Sequence, residues 1–334
     1  MDSNVRMVGG GEAITNETYL SYINRSHQLW KRAAVEYKIN EQDMTFTSFV
    51  TWLQSLLPYV KTATRRQYIA ATKAYLSNKK TQVSFDISPK DADLNSAILI
   101  MDNIRAANYP THSSITKQWR QRTSGQKAKK CSNEDLKLII SQSKKMRGKW
   151  IEASMLWMVV NVMVGLRPSE WKSAVLLEAG KQKTLVIKNG KATNGRANGA
   201  HRHIDVTALN VAELKLIQFQ LKIVAKYNQS DVEWNSYYSG VRKTIHRITR
   251  LAFSSQRKYP TLYSTRHQFS ADAKSAGLSK VEVAALMGHA TDETAGLHYG
   301  KKKHGSGNCK VMPNAGEVAT VKKAPKTQMT KLGM

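Results

Sequence analysis

The sequence predicts a mainly α-helical protein with two domains, the second of which also carries a small β-hairpin or sheet. Apolar residues recur at helical spacing through most of residues 16–110 and again after residue 131. Two short β-like runs flank a turn rich in Asn and Gly at residues 189–199. Between the two helical regions lies a segment rich in Lys, Arg, Gln, Ser and Thr. These observations indicate an all-helical first domain and an α+β second domain.

The first domain is predicted to span residues 16–110, after a flexible N-terminus formed by residues 1–15. Its helices present apolar faces around Leu29, Leu53 and Leu76. Residues 111–131 contain hardly an apolar residue and cannot bury a core, so they are predicted to be a basic linker.

The second domain is predicted to span residues 132–303. Ser132 is a suitable N-cap for its first helix, and a more buried helix over residues 150–164 ends at Gly165. Because Pro168 suits the first turn of the next helix, Arg167 is expected to be held at a rigid junction.

A β-hairpin with a mobile tip is predicted from the β-like runs at residues 183–188 and 201–206. His201 and His203 lie two residues apart on its second strand, which is a weak metal-binding pattern. With no third ligand nearby, surface groups are the favoured interpretation, and no metal or other cofactor is expected. An amphipathic helix over residues 209–224 and a basic helix over residues 241–250 follow the hairpin.

The last part of the chain, residues 304–334, is predicted to be a basic C-terminal tail. Its scattered apolar residues, such as Val311 and Val321, allow a docking strand or a short helix and exclude a large domain. The low-complexity end is expected to be disordered unless bound.

The charge of the chain points to a polyanionic partner. Lys and Arg number 52 against 24 Asp and Glu, which gives a formal net charge of +28 and a pI near 10.0. The first residues have no apolar core of a secretory signal, and no apolar run is long enough to span a membrane. The two cysteines, Cys131 and Cys309, form no disulfide framework. We therefore expect a cytoplasmic protein with a polyanionic partner.

Four motifs in order carry a family resemblance. They are the G-L-R-P-S-E run that contains Arg167, Arg266 in a Y-x-x-R run, the L-M-G-H run that ends at His289, and Tyr299 shortly after it. Over roughly residues 131–303 the sequence resembles the catalytic domain of the tyrosine recombinase (phage integrase) family. The resemblance implies an N-terminal helical DNA-clamping domain followed by a tyrosine-recombinase catalytic domain.

The resemblance implies DNA cutting and rejoining by transesterification, without metal or ATP. Arg167 and Arg266 would neutralise charge on the phosphate oxygens, since planar guanidinium groups give paired hydrogen bonds. Together with His289 they would favour the phenolate of Tyr299, whose ordinary pKa is about 10. Attack by Tyr299 would leave a 3′-phosphotyrosyl link, and Glu170 would support the site from behind Arg167.

Two catalytic assignments are less direct. A lysine on the hairpin acts as general acid in the family, and Lys191 matches its place best, with Lys188 as the fallback. The family most often has histidine where this chain has Tyr263. A phenol there keeps the hydrogen-bond donor but not the proton-accepting role of an imidazole.

Basic residues outside the catalytic set are predicted to bind DNA. At the start of a predicted helix and elsewhere they neutralise backbone phosphates, which suits a C-shaped clamp around a duplex. The predicted DNA-binding residues are Thr64, Arg65, Arg66, Lys117, Arg120, Arg122, Lys127, Arg196, Arg242, Lys243 and Arg247.

The implied function is site-specific recombination that integrates or excises a mobile element. The implied partners are a double-stranded DNA recombination site, a homo-tetramer on synapsed DNA and accessory DNA-bending or directionality proteins. The alternatives are a type IB-like topoisomerase or telomere resolvase and, as a non-enzyme, a catalytically dead DNA-binding module. Metal-dependent nucleases are disfavoured because the sequence has no P-loop, no H-E-x-x-H and no compact acidic cluster.

Overall fold

The computed structural model describes residues 5–8, 12–60, 62–81, 89–106, 128–190, 197–255, 258–294 and 299–323. Within them the chain is mainly helical with a small antiparallel sheet, which confirms the predicted fold class. The chain divides into two units, residues 1–120 and 121–334. No helix in the described part of the chain is long and apolar enough to cross a membrane.

In the part that the structure describes, the first unit has four α-helices preceded by a two-stranded antiparallel hairpin. The hairpin lies in the segment predicted as a flexible N-terminus, where the sequence predicted no strand. The elements are β1 (Val5–Val8), β2 (Glu12–Thr15), α1 (Asn16–Tyr37), α2 (Phe46–Leu56), α3 (Thr62–Lys80) and α4 (Pro89–Ala106).

The core of this unit takes an apolar residue from each helix, including Leu29, Leu53, Leu76 and Met101. The carboxylate of Asp93 on α4 accepts hydrogen bonds from the first two backbone N–H groups of α2, at 2.6 and 3.0 Å. These N–H groups have no partner within their own helix, so the bonds tie α4 to the start of α2.

Among its described residues, the second unit contains six longer helices, four strands and a short final helix. Its helices are α5 (Asn133–Lys144), α6 (Ile151–Val164), α7 (Val211–Tyr227), α8 (Asp231–Ala252), α9 (Leu262–Ser275), α10 (Lys280–Met287) and α11 (Ala315–Thr320). Its strands are β3 (Val175–Ala179), β4 (Gln182–Lys188), β5 (His201–Asp205) and β6 (Met312–Pro313). Short 3₁₀ helices span Pro168–Ser173 and Lys302–His304.

Helix α6 lies at the centre of the second unit. Trp157, Met158, Val160 and Val164 are fully buried, and Trp157 stacks on Tyr237 of α8 with ring centroids 5.5 Å apart. A helix that is apolar on all sides belongs in a core, and α6 packs against α7, α8 and α9. This packing fixes the C-terminal end of α6 and therefore also the position of the residues that follow it.

The four-stranded sheet has the order β3-β4-β5-β6, with every pair antiparallel. The predicted hairpin corresponds to β4 and β5, which pair from Thr184 opposite Asp205 to Lys188 opposite His201. Strand β3 at one edge was not predicted, whereas β6 at the other edge lies in the tail segment where a docking strand was allowed.

Part of the predicted tail packs on the second unit. Strand β6 pairs with β5, and the Glu317 carboxylate on α11 accepts from the backbone N–H of His203 at 2.8 Å. Val321 packs against Ala284 and Ala285 of α10. The predicted boundary at residues 303 and 304 therefore falls inside this unit.

Candidate active site

Arg167 lies at the junction between α6 and the following 3₁₀ helix. Helix α6 ends at Gly165, whose φ of +65° is in the left-handed region, and a Cβ there would lie 2.1 Å from the Phe269 ring. Pro168 then begins the 3₁₀ helix at its first position. The expected junction between the two helices is therefore present, and Arg167 is 7% exposed.

The carboxylate of Glu170 is shared by three guanidinium groups. It accepts from Arg167 Nη1 at 2.5 Å and from Arg202 Nη2 at 2.7 Å, and Arg266 Nη1 lies 3.6 Å away. It also accepts from the backbone N–H groups of Arg167 and Gly190. Burial alone would raise the pKa of this carboxyl, but the three arginines outweigh burial and hold its pKa well below its usual range.

Arg202 belongs to this cluster, and the sequence analysis missed it. It is 1% exposed on β5 and donates from Nη1 to Asn189 Oδ1 at 2.5 Å. Asn189 in turn donates to the carbonyls of Asn198 and Gly199 and so closes the base of the hairpin. The available signal was the alternation along β5, because Arg202 faces the same side as the buried Ile204.

Arg266 lies near the start of α9 and is fully buried. Its Nη1 donates to the carbonyl of Gly165 and its Nη2 to the carbonyl of Met287 at 2.6 Å. Both carbonyls belong to helix C-terminal ends, where a cation is favourable. Its guanidinium carbon lies 5.4 Å from the centre of the Tyr299 ring. Arg266 therefore joins the ends of α6 and α10 and faces Tyr299.

His289 follows Gly288, which ends α10 in the left-handed conformation at φ +62°. A Cβ at Gly288 would lie 2.3 Å from Asn189 Oδ1, so only glycine lets the hairpin base approach α10. The buried His289 ring is 4.9 Å from the Tyr299 ring. Burial, and then Arg266, Arg167 and Arg202, lower the pKa of His289 to about 2. Its imidazole is therefore neutral in this arrangement.

The phenols of Tyr299 and Tyr263 are hydrogen bonded to each other, with their oxygens 3.0 Å apart. Burial alone would raise the pKa of Tyr299, but Arg266, the Tyr263 hydrogen bond and Arg167 together lower it. Burial and the neighbouring Tyr299 instead raise the pKa of Tyr263 to about 12. Tyr299 is thus the phenol that ionises first, and Tyr263 remains protonated as its donor.

His267 also lies against these phenols, although the sequence analysis assigned it no role. Its ring is 5.1 Å from that of Tyr299 and 5.3 Å from that of Tyr263. Burial and then Lys129 and Arg266 lower the pKa of His267 to about 4. It therefore adds a second neutral imidazole beside Tyr299.

Several buried donors of the site have no hydrogen-bond partner within the described residues. They are the Nε–H groups of Arg167, Arg202 and Arg266 and the one ring N–H of the neutral His289, whose two ring nitrogens both lack a partner. Unpaired buried donors are costly unless an acceptor is present. A tetrahedral oxyanion such as a phosphodiester offers several acceptor oxygens for donors of this kind. The site is therefore suited to bind a phosphate beside the Tyr299 oxygen.

The other predicted site residues are placed as follows. Lys191, Lys117, Arg120, Arg122, Lys127 and Arg196 lie outside the described residues. Lys188, the fallback general acid, is exposed at the end of β4.

The predicted DNA-binding residues differ in exposure. On α3, Arg66 is exposed and Thr64 is half-buried, whereas Arg65 is buried and donates to the carbonyl of Leu57 at 3.1 Å. Arg242, Lys243 and Arg247 are exposed on α8.

Comparisons with known proteins give similarity at the level of structure. No protein-family model matches the sequence, and no curated protein matches it. The XerH site-specific recombinase bound to palindromic difH substrate has 14% identity, a TM-score of 0.42 and coverage of 84% of this chain and 74% of its own. The XerA recombinase has 12% identity, a TM-score of 0.36 and coverage of 85% and 93%. The Tn1549 transposon integrase with transposon right end DNA has 13% identity, a TM-score of 0.37 and coverage of 86% and 96%.

Proposed function

We propose that this protein cuts and rejoins DNA by transesterification, with Tyr299 as the nucleophile and a 3′-phosphotyrosyl intermediate. One observation carries the proposal. Buried guanidinium groups and a neutral imidazole, with donors left unpaired among the described residues, surround a phenol whose pKa is lowered. A phosphate that fills those donors would lie next to the atom that attacks it.

Each side chain of the site then has a defined role. Arg167 and Arg266 bind the nonbridging oxygens and stabilise the charge that develops on them. His289 adds a neutral hydrogen-bonding group, and Tyr263 donates to the Tyr299 oxygen. Arg202 and Glu170 position the two catalytic arginines.

The chemistry needs no outside energy source. Tyr299 reacts as the phenolate after its proton has been released to solvent, and its oxygen forms a bond to phosphorus while the bond from phosphorus to the 5′-oxygen breaks. A hairpin lysine, Lys191 or Lys188, gives that oxygen its proton. The phosphotyrosyl link keeps the bond energy, so a 5′-hydroxyl of another strand can reverse the step without ATP.

The biological role is proposed from the sequence motifs. The resemblance that the four motifs carry implies site-specific strand exchange by a homo-tetramer on synapsed DNA, in the integration or excision of a mobile element. On this proposal the protein acts on a double-stranded recombination site with accessory DNA-bending or directionality proteins.

A suicide substrate tests the chemistry. The DNA that flanks the gene is cut into duplexes, each nicked close to a candidate site so that religation is prevented. We expect wild-type protein to form a covalent adduct through a 3′ phosphate, without Mg²⁺ or ATP, and Tyr299→Phe to form none. Tyr227→Phe, which removes a phenol elsewhere in the same unit, is the matched control and should form the adduct. An adduct that survives in Tyr299→Phe would refute the assignment.

A further inference from the structure

A pocket of about 400 Å³ lies beside the candidate active site. Its wall includes Pro168, which follows Arg167, and Tyr263, whose hydroxyl is hydrogen bonded to the Tyr299 oxygen. None of the catalytic roles proposed above requires this space. Because its rim is shared with the site, a group bound there would lie next to the reacting phosphate.

The lining of the pocket favours an anion. Arg242, Lys243 and His246 contribute to its wall from α8, together with the polar residues Thr261 and Tyr263. None of its described lining residues is acidic. Two lysine or arginine charges with no carboxylate to balance them attract a negatively charged ligand.

A row of stacked side chains, Trp234, Tyr238 and Arg242, reaches the wall of the pocket. Trp234 and Tyr238 are stacked at an interplanar angle of 7°, with centroids 6.3 Å apart. The Arg242 guanidinium lies over the Tyr238 ring at 5.8 Å. Tyr238 and Arg242 both line the pocket, so a flat aromatic group that enters it meets a surface already arranged for stacking.

We infer that this pocket binds one unpaired nucleotide of the DNA strand next to the bond that is cut. Its base would stack on Tyr238 and Arg242, and its phosphate would pair with Lys243 and His246. The volume is within the usual range of small-ligand pockets, roughly 300–1,000 Å³, and admits a nucleotide rather than a length of duplex.

The inference rests on the proposed function and deepens it. Strand exchange requires the freed strand end to leave its complement before it can join another. A site that holds the terminal nucleotide out of the stack would keep that end beside the phosphotyrosine. It would also offset part of the cost of unstacking the base.

A fluorescent trinucleotide with 2-aminopurine at its centre tests the inference, because stacking quenches this base. We expect wild-type protein to bind and quench it. Arg242→Ala and Lys243→Ala should each weaken binding about tenfold, within the range for loss of a base-stacking or phosphate contact. Arg250→Ala, with the same charge loss on the same helix outside the pocket, should bind like wild type.

The ring of Tyr238 gives an independent readout. Tyr238→Phe keeps the stacking surface and should retain the quench, whereas Tyr238→Leu should lose it. If Tyr238→Leu does not fold, the exposed Arg242 and Lys243 variants decide. Equal loss in Arg250→Ala, or no loss in Arg242→Ala and Lys243→Ala, would overturn the inference.

Two further comparisons distinguish a DNA strand from a free nucleotide as the ligand, and distinguish failure of this inference from failure of the proposed function. Tighter binding of the trinucleotide than of 2-aminopurine deoxynucleoside monophosphate supports a DNA strand, and equal binding would assign the pocket to a free nucleotide instead. If the suicide substrate traps an adduct but no trinucleotide binds, this inference fails alone. If the trinucleotide binds as expected and no adduct forms, the proposed function fails and the nucleotide pocket remains.

Discussion

Two groups of cationic side chains in the second unit differ in their surroundings: one group is buried and the other is exposed. Arg167, Arg202 and Arg266 are buried around the single carboxylate of Glu170. Arg242 and Lys243 are exposed on α8, and neither is paired with a carboxylate among the ion pairs of the described residues.

This difference separates affinity from chemistry. Exposed cations attract any polyanion through electrostatic interactions, and dissolved salt screens these interactions and shortens their range. Buried cations are held by carbonyl and carboxylate partners, so their free N–H groups point to defined places. A net charge of +28 indicates long-range attraction of a polyanion by exposed cations, but it gives no information about buried cations that hold their N–H groups in fixed directions.

The largest expected effect comes from removing the charge at the centre of the buried group. Glu170→Gln leaves three guanidinium groups without their shared carboxylate, and breaking a buried ion pair costs about 3–5 kcal/mol. We therefore expect a fall of that order in the free energy of unfolding, measured in urea at pH 7. Asp231→Asn, which removes an exposed partner of Lys172, should change stability little.

The same variant has a pH signature. The pKa of Glu170 is lower in the folded protein, so its contribution to stability is fully present above its unfolded pKa of about 4.3 and is lost as pH falls below it. The stability gap between wild type and Glu170→Gln should shrink as pH falls below about 4.3. A gap that stays constant down to pH 3 would show that Glu170 is not ionised in the fold.

Next in size is the effect of replacing the guanidinium of Arg266. The single ammonium nitrogen of lysine cannot reproduce the separate Nη1 and Nη2 bonds to the Gly165 and Met287 carbonyls together with the Nε–H group that is left to bind phosphate. Arg266→Lys should slow single-turnover adduct formation by about a hundredfold to a thousandfold, the cost of one preorganised donor. Arg250→Lys, at an exposed position of α8, is the control, and equal rates in both variants would refute the distinction between the two groups.

Removing the hydroxyl of Tyr263 should have a smaller effect. Tyr263→Phe deletes the donor to the Tyr299 oxygen, so we expect adduct formation to slow about tenfold or more, with duplex binding unchanged. Without that donor the pKa of Tyr299 should rise. Because the rate increases as Tyr299 ionises, the pH–rate profile should then shift to higher pH. Tyr263→His should keep most activity and add a pH dependence between about 6 and 7. An unchanged rate and pH profile in Tyr263→Phe would show that this hydroxyl has no catalytic part.

The smallest expected effect concerns the exposed cations and is seen in salt dependence. Each phosphate contact contributes about −0.9 to the slope of log affinity against log salt, and a clamp should give a slope steeper than about −4. Arg247→Ala should make the slope shallower by about 1, while Arg266→Lys should leave it unchanged. A wild-type slope shallower than about −4 would contradict encirclement of the duplex.

Local signals in the sequence predicted the helices near the site. Ser132 forms the expected N-cap, Gly165 ends α6, and Pro168 begins the following 3₁₀ helix. These features depend on residues close in sequence, where capping and φ preferences act. Strand β6 was not predictable in this way, because a two-residue strand exists only through its pairing with β5.

The site itself was predictable only in part. Arg167, Arg266, His289 and Tyr299 could be named from motif spacing, and the structure brings them together, but their catalytic roles and that of Lys191 stay predictions. Arg202 looked like one basic residue on a polar strand, since its burial depends on the packing of β5 against α10. The sharing of Glu170 by three arginines depends on tertiary packing, and no pattern of neighbouring residues in the sequence predicts it.

The glycine before His289 also limits how this protein can vary. Gly288 is specified twice, by its left-handed backbone and by the Asn189 oxygen, which would be 2.3 Å from any added Cβ. An alanine there would collide with the hairpin base even if the backbone strain were tolerated. A library that varies residue 288 must therefore vary residue 189 with it. Distant relatives with a larger residue at the first position should have a smaller one at the second.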